Sequence, residues 1–167
     1  MKKLLFVALI VASVGFYALQ HRAIDDAQVA AFYRDMEVAT LQRKPQALCD
    51  LLAPDFRSHG TVSVGGASRT DMQDKAQACE AYHGMFANFE KIGDQMGGML
   101  QLDHSYTVHA VSIAPDRQAA TVDYSDSLDV AGSLMNIRSR SRDVLVRRFG
   151  KLVMLRSEGN GSIRTGS

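Results

Sequence analysis

The stretch DDAQVAAFYRDMEVATLQRKPQALCDLLAPDFRSH, residues 25–59, decides how the chain folds. Val29, Phe32, Met36 and Ala39 fall at helical spacing, so its first half predicts a long amphipathic helix running to about Arg43. Asp25 and Asp26 stand at the start, where an acid caps free amides and meets the positive end of the helix dipole. Pro45 disfavours helical geometry at Lys44 but suits the first turn of a new helix. Leu48, Leu51 and Leu52 give that short second helix an inward side, and Pro54 helps to end it. Phe56 to Val64 then reads as a first strand interrupted at Gly60.

Working outward towards the C-terminus, Gly65-Gly66-Ala67-Ser68 reads as a loop, and no Gly-Lys-Ser or Gly-Lys-Thr follows to make it a phosphate loop. Thr70 with Gln73 three residues on has capping-box spacing. A third helix is therefore expected from Thr70 to about Glu90, with Met72, Ala76, Cys79, Tyr82 or His83, and Phe86 on its inward stripe. From Leu100 the period changes to two. Strands are expected through Ile113 and at 118–129, 134–148 and 152–158, with turns at 115–117, 131–132 and 150–151. Such short connections favour an antiparallel meander. Helices first and a meander afterwards predict an α+β domain, in which the N-terminal helices pack into a strongly curved antiparallel sheet to make a cone with an open mouth. The tail 159–167 has no pattern and is expected to be loose.

Upstream, Lys2-Lys3 precedes an apolar run from Leu4 to Leu19. A charged start and a long apolar run suit export. At 16 residues the run is slightly short of the roughly 20 that span a bilayer, and no Ala-x-Ala cleavage site follows. A cleaved signal peptide and an uncleaved anchor at residues 4–19 both remain open. The chain is thus divided into a leader (1–22), one domain (23–158) and the tail (159–167). The expected location is the periplasm, or the inner membrane with the domain held outside the cytoplasm.

A total of 167 residues suffices for one domain with a proper core. Lys2, Lys3 and Arg22 account for three of the 19 basic residues, and none of the 18 acids lies in the first 22 positions. The remaining 16 basic and 18 acidic residues make the body slightly acidic, which gives no electrostatic reason to bind nucleic acid. Cys49 and Cys79 lie in the second and third expected helices. In an oxidising compartment they can form a disulfide, and the alternative is two small buried hydrophobes. Two isolated cysteines lack the paired spacing of a zinc site, and nothing in the sequence calls for a cofactor.

Candidate site residues come from the strands. Leu100, Leu102, His104, Tyr106 and Val108 share one face, as do Val122, Tyr124, Asp126 and Leu128 on the next strand. If those faces point into the cone, His104, Tyr106, Tyr124 and Asp126 are polar groups in an apolar lining, the composition of a ligand pocket. A buried Asp126 would gain a raised pKa and could act as an acid or base. Asp143 either joins the same cavity or pairs with an arginine across the sheet. Arg138, Arg140 and Arg142 alternate along one face, either as an anion site or as a solvated outer surface paired with Asp123 and Asp129.

The order of elements resembles the nuclear transport factor 2-like superfamily, and within it the SnoaL-like and ketosteroid-isomerase-like group. The resemblance is carried by the helix from Val29 to Leu41, by Leu48-x-x-Leu-Leu-Ala-Pro-Asp-Phe56 and by His59-Gly60, and it covers about residues 25–158. It implies the cone fold and leaves the activity open, because members include isomerases, cyclases, dehydratases, epoxide hydrolases and non-catalytic modules. Isomerase members carry an aspartate base on the strand after the Asp-Phe segment. Here that neighbourhood reads Arg57-Ser58-His59-Gly60-Thr61, without a carboxylate, so only His59 could replace the base.

Three functions follow, in order. The first is an exported protein that binds a small apolar or amphipathic molecule through His59, His104, Tyr106, Tyr124 and Asp126. The second is a SnoaL-like hydrolase, isomerase or cyclase using His59 with Asp126 or Tyr124. The third is a membrane-anchored envelope assembly module that forms a homodimer through its sheet. The balance leans away from an enzyme.

Overall fold

The computed structural model describes residues 23–98, 100–132 and 134–166; the leader expected at 1–22 lies outside them. Helix α1 (Asp26–Leu41) is capped by Asp25, whose carboxylate accepts the Gln28 amide at 2.8 Å. Arg43 takes a left-handed conformation, φ 53°, and the chain restarts at Pro45 as α2 (Pro45–Asp50). Six strands follow: β1 (Leu52–Val64), β2 (Ala67–Asp74), β3 (Leu102–Ile113), β4 (Ala119–Val130), β5 (Met135–Arg148) and β6 (Lys151–Thr165), with α3 (Lys75–Gln95) between β2 and β3. They form one curved sheet in the order β2-β1-β6-β5-β4-β3. The meander from β3 to β6 is antiparallel as expected, and β6 then adds β1 in parallel.

Three expectations are corrected. The segment at 65–74 is a hairpin. Gly65 and Gly66 both have positive φ, the two-residue turn that matches strand twist, and Ala67–Asp74 pairs with β1. The third helix therefore starts four residues late. Its capping box is Asp74 with Gln77: Gln77 N donates to Asp74 at 3.0 Å, and Asp74 N donates to Gln77 at 3.0 Å. Strand β1 begins at Leu52, so Pro54 lies within it, and the pairing with β6 shifts register between Leu52 and Arg57. Proline has no N–H to give the ladder, so an irregularity there fits. Finally, the tail is ordered strand as far as Thr165. Gly159 pairs with Gly60 on one side and Ser141 on the other, so backbone bonds hold a segment whose side chains show no alternation.

Gly159 also allows the sheet to close up. A Cβ there would lie 2.8 Å from the Ser141 Cα and 2.9 Å from its Cβ, closer than real atoms approach. Backbone thus comes nearer to backbone than any other residue would permit. Across the concave side, the helices split the interior into two clusters. One joins Val29, Phe32, Tyr33, Phe56, Val122 and Leu145. The other joins Ala39, Leu48, Phe86, Phe89, Leu128 and Val130. Cys49 and Cys79 are bonded, tying α2 to α3 with Cα atoms 5.3 Å apart.

Replacing Gly159→Ala is expected to destabilise the protein by about 1–3 kcal/mol in urea denaturation, the usual range for overpacking. Gly161→Ala, where the nearest contact is 3.3 Å, is expected to cost less. Reduction of the disulfide is expected to remove roughly 3 kcal/mol, measured by the same denaturation with and without dithiothreitol.

Candidate functional site

Strand alternation puts one set of side chains on the concave face: His104 and Tyr106 from β3, Tyr124 and Asp126 from β4, Ser139, Ser141 and Asp143 from β5, and Ser157 from β6. The register agrees, pairing Tyr106 with Asp126, Tyr124 with Ser141, and Asp143 with Ser157. Between this face and the helices is a cavity of about 310 Å³. Its apolar walls include Met36, Leu48, Met85, Leu128 and Ile137, and its polar groups include His104, Tyr124, Asp126 and Asp143. Its lining draws on both apolar clusters. A trough of about 260 Å³ adjoins it over Gly60, Gly159 and Gly161, sharing Ser58, Gln73, Ser139, Ser141 and Ser157.

Asp143 is the most deeply buried acid, 1% exposed. Tyr33 of α1 donates to its Oδ2 at 2.8 Å and Ser157 donates to its Oδ1 at 2.7 Å. Burial pushes the carboxyl above its ordinary value, and the donated hydrogen bonds oppose that shift without cancelling it. Burial and the nearby carboxylate likewise raise the Tyr33 phenol. Tyr33 stacks on Tyr124 with centroids 4.4 Å apart. Burial, Asp126 and Asp143 raise the Tyr124 phenol, and its hydroxyl is buried with no hydrogen-bond partner among the described residues. Tyr82 of α3 lines the same cavity, and burial with the charges of Asp143 and Asp126 pushes it up to about 12.

His104 and Asp126 meet diagonally across β3 and β4, with Nε2 3.8 Å from Oδ2. That exceeds hydrogen-bond length. Ser139 Oγ donates to the other Asp126 oxygen. The His104 side chain is only 5% exposed, and its Nδ1 has no partner among the described residues.

Of the residues expected from sequence, His104, Tyr124 and Asp126 line the cavity. Tyr106 packs behind them, 6.0 Å from Tyr124 and 6.3 Å from Tyr33 between centroids, and does not line it. His59 alternates with the cavity residue Ser58, is exposed, and lines the adjoining trough and not the cavity that holds Asp126 and Tyr124. Asp143 takes the cavity alternative, and Tyr33, Ser157 and Tyr82 are additions. Tyr33 was legible as part of the inward helix face, but its partner lies 110 residues away. Outside, Arg142 pairs with Asp123 at 2.8 Å, whereas Asp129 accepts from Asn136. Among the described residues, no helix is long and apolar enough to cross a membrane. The run 4–19 lies outside them.

The sequence matches no protein-family profile and no curated protein. Solved structures do match. A scytalone dehydratase-like protein from Novosphingobium aromaticivorans is 12% identical and superposes with a TM-score of 0.59 over 84% of this chain and 87% of the other. LinA is 12% identical, with a TM-score of 0.57 over 84% of this chain and 88% of its own. A ketosteroid isomerase-like protein from Erwinia carotovora atroseptica is 14% identical, with a TM-score of 0.51 over 81% and 94%. The shared feature is the fold, an α+β arrangement of helices on one curved sheet.

The raised Asp143 carboxyl has a consequence for stability. An unfolded aspartate titrates near 3.9, and the folded one higher, so the folded state holds the proton more strongly. Its contribution is full below the unfolded value and is lost as pH rises through the folded value. Compared with Asp143→Asn, the native chain should lose stability as pH rises from about 4, in denaturant titrations repeated across pH. The opposite trend would mean that Asp143 is held as a carboxylate.

Proposed function

We propose that this is an exported binding protein whose cone holds a small apolar or amphipathic molecule with a hydrogen-bonding group. The observation that carries this reading is the pair of buried polar atoms without partners among the described residues, Tyr124 Oη and His104 Nδ1, on two residues of one cavity. Buried polar atoms are nearly always satisfied, so such a pair suits a ligand that supplies the missing bonds. The apolar walls would take the rest of the molecule. A cone filled by side chains would suit an assembly module, and a cavity of about 310 Å³ favours a ligand instead. Export is supported by Lys2-Lys3 with the run that follows, and by the Cys49–Cys79 bond, since such bonds persist in oxidising compartments.

A second reading is proton-transfer catalysis, and one arrangement favours it. His104 faces Asp126 in the same cavity as an Asp143 whose carboxyl is raised. Groups pushed from their ordinary values in a cleft are candidates for acid and base roles. The dehydratase-like and isomerase-like structural relatives lend that reading support. His59 has no part in it.

Prodan, a neutral fluorophore with one carbonyl, tests the binding reading. It should bind the full chain with a blue-shifted emission. Ala81 is an exposed residue at the cavity wall, and Ala81→Trp should weaken binding about tenfold or more with an unchanged melting temperature. Equal binding by the variant would place the dye elsewhere and remove the support for the cone as the site.

A further inference from the structure

The charges around the cavity are unbalanced. Asp126 and Asp143 both line it, and among its described lining residues there is no lysine or arginine. Among its described lining residues His104 is the one that can become positive, so carboxyl groups outnumber it two to one. Asp126 accepts from Ser139 through Oδ1, while its Oδ2 has His104 Nε2 no nearer than 3.8 Å. Tyr82 and Tyr124 add two aromatic rings to the same walls.

A ligand that enters this space strips water from the carboxylates, and burying an unpaired charge is expensive. An anionic headgroup would add repulsion. A neutral one would leave the free oxygen of Asp126 uncompensated. A protonated amine would donate to Asp126 Oδ2, meet the electron-rich faces of the tyrosines and let Tyr124 Oη accept a further bond. We infer that the ligand is an amphipathic amine, its ammonium held by Asp126 and its apolar part against Met36, Leu48, Met85, Leu128 and Ile137. This rests on the cone being the binding site.

Calorimetric titration of the full chain at neutral pH with octylammonium, octanol and octanoate separates charge from shape. Octylammonium should bind at least about tenfold more tightly than octanol, and octanoate more weakly than either. Asp126→Asn should bring octylammonium to within a few-fold of octanol. Asp126 is partly exposed, so this variant should keep its fold, and a melting curve checks that; Asp143→Asn is the second variant. Octanoate binding as tightly as octylammonium would overturn the amine assignment and leave the cone as the site. An Asp126→Asn variant with an undiminished preference for the cation would overturn the role of the carboxylate. No binding of any of the three would overturn both.

Discussion

A carboxyl group in the middle of the sheet constrains everything around it. Asp143 is shut off from solvent, and it is tolerable there because Tyr33 and Ser157 each donate to one of its oxygens. The bond from Tyr33 ties α1 to β5 across the interior. It also fixes the ring on which Tyr124 stacks. A leucine at position 143 would have made a simpler core, but it would have left Tyr33 with a buried hydroxyl and no acceptor. The polar centre and the register of helix on sheet are therefore one arrangement.

The cavity follows from how the remaining apolar side chains divide. Phe32, Phe56 and Leu145 fill one end, and Phe86, Phe89 and Leu128 fill the other. Between them the sheet offers Ser139, Ser141 and Ser157, which are too small to reach the helices. Small polar residues on the concave face leave volume, and they supply hydroxyls where a charged group needs them. The disulfide holds α2 to α3 over that volume, so the roof does not depend on side-chain packing alone.

Much of this was legible in the sequence, for identifiable reasons. Val29, Phe32 and Met36 mark the inward face of α1, and the alternation Val122-x-Tyr124-x-Asp126-x-Leu128 marks both β4 and three groups near the cavity. The start of α3 was not legible, because Thr70/Gln73 and Asp74/Gln77 have the same capping spacing. The choice between them is made by a hairpin whose second strand is exposed from Ala67 to Met72 and so lacks an apolar face. The end of β6 was hidden by Gly159 and Gly161, where the ladder lies wholly in the backbone. His59 was chosen for its chemistry, and its neighbour Ser58 holds the inward position. Tyr33 with Asp143 could not be read at all, since their meeting is a property of the closed sheet.

The parallel pairing of β1 with β6 sets an order of events. Of the six strands, β6 is the last in the chain, yet it sits in the interior of the sheet between β1 and β5. The hairpin β1–β2 cannot join β3 to β5 until it arrives. A chain emerging from a ribosome thus holds two unjoined pieces of sheet, each with a bare edge, until β6 is free to pair. Closure over so long a loop is slow.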